Sequence, residues 1–263
     1  MATHLTVTGT THLSPSLLRV HLRSDDLSAF VGSEFTDRYV KLVFPVDGRP
    51  LPEPLDMRAL RGTLPPEQLP VVRTYTALSP DVAAGTLDID FVVHGDEGVA
   101  GPWAARARPG DTLVANGPGG GYRPDPGADW HLLVADESAL PAVTAALADL
   151  GPDAVVHVVA LVDSGEHEVA LPVPEAGSVT WVRRTTGGDL AEAVAALAFP
   201  SGRVHAFVHG EAEVVMRRIR PLLLRERGVR REDLSISGYW RDGRTEEGFR
   251  EWKSALAREE AAG

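Results

Sequence analysis

Arg73-Thr74-Tyr75-Thr76 places a guanidinium, two hydroxyls and a phenol ring at the end of an apolar, β-branched run. A guanidinium fork suits phosphate oxygens, and a flat ring gives stacking area. Strand alternation puts Arg73 and Tyr75 on one face and Thr76 on the other. Read alone, the stretch fits an ordinary half-buried strand as well as a ligand platform. Next comes His94-Gly95-Asp96-Glu97-Gly98-Val99-Ala100-Gly101-Pro102-Trp103-Ala104, with glycines ahead of a helix start. Backbone N–H groups there bind phosphate, although Pro102 has none to donate. His94, at a strand end, suits either a structural hydrogen bond or a ligand contact.

A third group is Ala135-Asp136-Glu137-Ser138-Ala139-Leu140-Pro141. Ser138 is placed to cap a helix starting at Ala139, with Pro141 in the first turn. A strand feeding such a helix start is where nucleotide phosphates are held in parallel sheets. Arg183 and Arg184 follow the strand-like "VTWV" and suit a 2′-phosphate or a solvated strand end. Finally, "GYWRDGR" sets Tyr239 and Trp240 beside Arg241 and Arg244. With Lys41 and Lys253, these arginines are the candidate cations for an anionic ligand.

Other chemistries are absent. The nine histidines form no metal-ligand spacing, so no metal site is expected. There is no G-x-S-x-G elbow, and no side chain is expected to act as nucleophile, acid or base. Without cysteine the chain holds no disulfide and no cysteine-ligated cluster. A net charge of −11 argues against nucleic acid and against anionic membrane surfaces. No apolar run approaches the roughly 20 residues of a membrane span, so no membrane insertion is expected. The opening "MATHLTVTGT" lacks a basic segment followed by an apolar core, so no signal peptide is expected and a cytoplasmic location fits.

These residues must be held by two kinds of scaffold. With 43% hydrophobic and 24% charged residues, 263 positions suit two globular domains. The first half reads as short strands between glycines and prolines, an antiparallel β-barrel. Residues 45–70 are Pro-rich and read as a surface loop, and 117–130 as a linker. From "HLLVAD" onward, strands and amphipathic helices alternate, which implies an α/β domain with a parallel sheet. The expected division is 1–123 and 124–263. "EEGFREWKSALAREE" reads as a C-terminal amphipathic helix with Phe249, Trp252 and Leu256 on one face.

Taken in order, "RTYT", "DFVVHGDEGVAGPWAARARPGDTLVANGPGGGY", "WHLLVADESALPAV" and "GYWRDGR" resemble the siderophore-interacting proteins over nearly the whole chain. These are FAD-containing ferric-siderophore reductases of the ferredoxin-reductase superfamily. The resemblance implies that Tyr75 stacks on the flavin, Thr76 bonds its polar edge and Arg73 pairs with the pyrophosphate. Thr74, His94, Gly95, Gly98, Val99, Ala100, Gly101, Trp103, Tyr239 and Trp240 complete the implied cofactor surface. Asp136, Glu137, Ser138, Ala139, Arg183 and Arg184 fall on the implied NAD(P)H side. Lys41, Arg241, Arg244 and Lys253 are assigned to the chelate. Gly101 stands where the family commonly has a serine that helps hold the pyrophosphate. Ala135, Ser138 and Ala77-Leu78 also depart from the family pattern. The implied activity is FAD-dependent reduction of a ferric siderophore, with electrons from NAD(P)H or from a ferredoxin whose cluster sits in that partner. The alternatives are a related flavoenzyme with an organic substrate, and a non-catalytic siderophore- or flavin-binding protein.

Overall fold

The computed structural model describes residues 2–46 and 48–243. Arg244, Lys253 and the expected C-terminal helix lie outside them. The chain divides into two compact units, residues 1–123 with 144–149, and residues 124–143 with 150–263.

The first unit holds β1 (Ala2–His12), β2 (Leu17–Arg23), β3 (Tyr39–Phe44), β4 (Val71–Thr76), β5 (Leu78–Asp81), β6 (Thr86–Val92) and β7 (Thr112–Gly119). They form one seven-stranded sheet in the order β4-β3-β7-β1-β2-β6-β5, paired antiparallel throughout. Its inward residues alternate with polar ones, as Val20, Leu42, Ile89 and Phe91 show, each fully buried. Each such side chain contributes about 1.5–3 kcal/mol on leaving water. The sheet curls until Tyr75 of β4 meets Phe91 of β6, ring centroids 4.4 Å apart, although four strands separate them in the sheet.

Two sequence expectations need correction here. The Pro-rich segment contains a short helix, α1 (Met57–Thr63), because Asp56 caps it by accepting from the N–H groups of Arg58 and Ala59. The segment read as a linker is built into the first unit at its start. Tyr122 is only 2% exposed, and the N–H groups of Gly121 and Tyr122 donate to Asp37 Oδ1, both at 2.9 Å.

A second helix, α2 (Ala100–Arg106), packs on β6 and β2. Beyond it, β8 (Trp130–Asp136), α3 (Leu140–Asp149), β9 (Val156–Val162), β10 (Ser178–Arg183), α4 (Leu190–Ala196), β11 (Val204–Glu211) and β12 (Leu234–Trp240) follow. The strands form a parallel five-stranded sheet, β10-β9-β8-β11-β12. Every residue of β8 is buried, as expected for a central strand covered on both faces. The stretch "AEVVMRRIRPLLLRERG" forms π-helical turns at Val214–Ile219 and Leu222–Glu226. Pro221 lies between them and has no N–H for the regular ladder.

At the amino-terminal edge of this sheet, Arg203 lies between Asp125 and Asp233, and His205 accepts from the Asp125 N–H at 3.0 Å. His131, on the neighbouring strand, is 3% exposed, and its ring lies 6.2 Å from that of His205. Burial, then repulsion from His205, pushes the His131 pKa down to about 4. Burial lowers that of His205 too, against the pull of Asp125 and Asp233.

Candidate functional site

On β4 the register decides which side chains work together. Arg73 pairs across from Leu42 and Tyr75 from Val40, and both partners are fully buried. Arg73 and Tyr75 therefore share the inward face, as alternation predicts. Thr74 pairs with Lys41 on the outer face, where both are exposed. Lys41 thus lies on the opposite face from Arg73 and Tyr75.

The donors on this strand fit a flavin dinucleotide. Among the described residues the Arg73 guanidinium makes one hydrogen bond, 3.0 Å to the Val72 carbonyl, and no ion pair. Arg19 of the same unit, by contrast, is locked by Asp90 at 2.7 and 2.8 Å. Thr76 is 7% exposed, and its hydroxyl has no hydrogen-bond partner among the described residues. Tyr75 is half-buried, with its ring on Phe91. A guanidinium, a hydroxyl and a supported ring on one strand are the donor set that a pyrophosphate and a polar, planar ring system require.

Beyond β6, His94 through Gly98 are exposed, with Gly95 and Gly98 turning at positive φ of 61° and 78°. Val99 stands at the N-cap of α2 without a side-chain cap, so the N–H groups of Ala100 and Gly101 enter the helix uncapped. A Cβ on Gly101 would lie 3.1 Å from the Val92 carbonyl, so the glycine lets α2 approach β6 closely. Trp103 packs on Phe44 and Phe91, with centroids 5.9 and 5.7 Å away, as part of the core wall behind Tyr75.

In the second unit the carboxyl edge of the parallel sheet carries the remaining candidates. Ser138 does not cap α3, which starts at Leu140. Its hydroxyl and its N–H instead donate to Asp136 Oδ1 at 2.5 and 2.9 Å. The other carboxylate oxygen, Oδ2, accepts from the Glu211 N–H and from Trp240 Nε1, both at 2.7 Å. Asp136 is 2% exposed, and both of its oxygens are engaged by four donors within the fold. Ala139 is fully buried, while Glu137 and Ser138 are half-buried.

Arg241, read as a cation for an anionic ligand, is held by Glu211 at 3.0 Å and Glu213 at 2.8 Å. Its charge is compensated within the fold. Arg183 is likewise paired, its Nε donating to Glu168 at 2.6 Å, whereas Arg184 has no ion pair among the described residues. Tyr239 is half-buried, its ring 4.8 Å from that of His209, and Trp240 is 37% exposed.

Comparison with known proteins gives this arrangement its family. Residues 6–122 match the siderophore-interacting FAD-binding domain, and residues 128–243 match the siderophore-interacting protein domain. The chain belongs to the siderophore-interacting protein family. An uncharacterised protein of Mycobacterium tuberculosis is 47% identical, the match covering 97% of this chain and 95% of that one. The ferric vibriobactin reductase of Vibrio cholerae is 34% identical over 95% of this chain and 93% of its own. Among solved structures, a siderophore utilization protein from T. fusca superposes with a TM-score of 0.78 at 36% identity, covering 93% and 94% of the two chains. As a siderophore-interacting protein, the chain carries its FAD-binding domain in the first unit.

A reading of the sequence misses Glu211 and Glu168, and it misses the remote partners of Asp136, which lie 75 positions along the chain in the case of Glu211. The Asp-x-Ser spacing at 136–138 was a local signal, since aspartate readily accepts from the backbone two residues on. Among the described residues no three His, Asp or Glu side chains are grouped to hold a metal, and no helix is long and apolar enough to cross a membrane.

Proposed function

We propose that this protein reduces ferric siderophores through FAD, with a nicotinamide nucleotide as the electron source. The observation that carries this reading is the β4 donor set, above all the Arg73 guanidinium without a carboxylate partner among the described residues. Arg73 pairs with the pyrophosphate, Tyr75 supports the ring system from one side and the Thr76 hydroxyl bonds its polar edge. The N–H groups of Ala100 and Gly101 take the phosphate contact for which relatives use a serine hydroxyl. When bound, FAD accepts a hydride and passes electrons singly to ferric iron. Iron enters inside its chelate as substrate, so the chain needs no ligands of its own for it. Hard oxygen chelators hold ferrous iron far less tightly, and reduction loosens the complex.

In this proposal residues 1–123 hold the flavin and residues 124–263 the nicotinamide nucleotide. Arg184, exposed and unpaired among the described residues, meets a 2′-phosphate. Lys41 lies on the face opposite Arg73 and Tyr75 and is not placed beside the flavin, and Arg241 contributes position rather than net charge. The proposed location is the cytoplasm, where nicotinamide nucleotides are kept reduced.

The test is anaerobic. Flavin-loaded protein is bleached with NADPH or NADH, then mixed with a panel of ferric chelates in the presence of a ferrous trap. Return of the oxidised flavin spectrum together with trapped ferrous iron is expected. Reoxidation by an organic acceptor and by no chelate would mark a different flavoenzyme, and a protein that takes up no FAD would overturn the reading.

A further inference from the structure

The carboxylate of Asp136 has a geometry that goes beyond holding one turn. It stands at the carboxyl end of β8, 2% exposed, and ties that strand to the ends of two others. Oδ2 receives the Glu211 N–H from β11 and the Trp240 indole N–H from β12, each at 2.7 Å. The backbone is shaped to allow this. Gly210 has φ +152°, and a Cβ there would sit 2.8 Å from Oδ2. Opposite it, the β11–β12 register shifts between Gly210 and Glu211, so that Gly210 pairs with Gly238 and Glu211 with Trp240. Such a bulge re-aims a strand end. From Glu211 the tie continues, because its carboxylate accepts from Arg241 at 3.0 Å and from the Asp242 N–H at 3.2 Å.

We propose that Asp136 is a positioning residue for the nicotinamide nucleotide: it fixes the plane of the Trp240 indole at the sheet's carboxyl edge, presenting the exposed ring as a stacking surface for the nicotinamide. The inference rests on the nucleotide reading above. An indole held by its N–H cannot turn about its outer side-chain torsion, so its face is ordered before the ligand arrives. With 37% of the residue exposed, part of Trp240 stays open to solvent. Parallel sheets bind ligands at this edge, and a buried carboxylate there with both oxygens engaged acts through what it holds.

The test compares Asp136→Asn, Trp240→Phe and the double variant in the full FAD-loaded chain. Asparagine offers one acceptor oxygen in place of two, so it cannot serve both the Ser138 donors and the pair formed by the Glu211 N–H and the indole. NADP⁺ binding is read by calorimetry, and the KM for NADPH is read separately from kcat. Reoxidation of dithionite-reduced flavin by ferric citrate serves as the arm that does not use the nucleotide. Asp136→Asn is expected to raise the NADP⁺ Kd and the NADPH KM about tenfold, with flavin reoxidation within about twofold of wild type. Trp240→Phe, which loses both the indole face and its N–H, is expected to raise both about tenfold or more, and the double variant to match Trp240→Phe alone. If Asp136→Asn does not fold, Trp240→Phe decides the matter by the same readouts. Unchanged nucleotide affinity in either folded variant, or additive effects in the double variant, overturns the inference while leaving the nucleotide reading intact. A wild-type protein that binds no NADP⁺ and is not bleached by NADPH overturns both.

Discussion

Arg73→Ala separates a ligand-binding arginine from a structural one. In the structure the guanidinium makes a single hydrogen bond, 3.0 Å to the carbonyl of the adjacent Val72, and no ion pair among the described residues. Its removal therefore costs the apoprotein little, within about 0.5 kcal/mol for a group away from any network. Two charge-assisted hydrogen bonds to a pyrophosphate contribute about 1.5–3 kcal/mol each, offset by about 1 kcal/mol for the local bond given up. The net loss of about 2–5 kcal/mol corresponds to FAD binding weakened roughly 30-fold to several thousand-fold. Titration of flavin-stripped protein with FAD, followed by fluorescence quenching, measures this directly. Arg73→Lys keeps the charge without the planar fork and is expected to fall between wild type and alanine. Arg19→Ala is the internal control. It strands Asp90, whose side chain is 2% exposed, and should lower thermal stability by about 3 kcal/mol or more with little effect on the FAD Kd. If Arg73→Ala binds FAD within about twofold of wild type, the assignment of Arg73 to the pyrophosphate is wrong.

Two further predictions concern the second unit. With a folded pKa of about 4 against 6.5 for the ordinary group, His131 stays neutral in the native state while the unfolded chain takes up a proton. Its contribution is complete above pH 6.5 and lost as pH falls toward 4, costing about 1–2 kcal/mol between pH 7.5 and 5. Chemical denaturation at several pH values should show that slope in wild type and a flatter one in His131→Gln, and equal slopes would contradict it. Glu168→Gln frees Arg183 from its ion pair and should raise the NADPH-over-NADH ratio of kcat/KM about three- to tenfold, while Arg184→Ala lowers it. An unchanged ratio in both variants would remove these arginines from the 2′-phosphate.

How far the sequence could be read follows from where each partner lies. Alternation along "VVRTYT" correctly put Arg73 and Tyr75 on one face, because a strand's period depends on nothing distant. The apolar run "HLLVAD" was legible as a strand for the same local reason, while its central place, with every residue buried, comes from the sheet order. Asp136 could not be read that way. Two of its four donors come from strands 75 and 104 residues further on, and only the sheet order brings them to it. The misplaced cap at Ser138 has a local origin, since the carboxylate two residues earlier competes for the hydroxyl. Arg241 looked like an available cation because nothing local revealed Glu211 and Glu213 converging on it. Pro221, visible in the sequence, displaced the helix into π-helical turns rather than ending it, which packing of Val215, Ile219 and Leu223 into the core explains.

The central claim, that flavin held by the first unit passes electrons to chelated ferric iron, meets its most direct test in a stoichiometry. Fully reduced, flavin-loaded protein is mixed anaerobically with an excess of ferric siderophore and a ferrous trap, and the flavin spectrum and trapped iron are followed together. The account predicts about two ferrous ions trapped for each flavin that returns to the oxidised state, as a two-electron carrier serving a one-electron acceptor requires. Flavin that stays reduced while no ferrous iron appears, across catecholate, hydroxamate and carboxylate chelates, would contradict it.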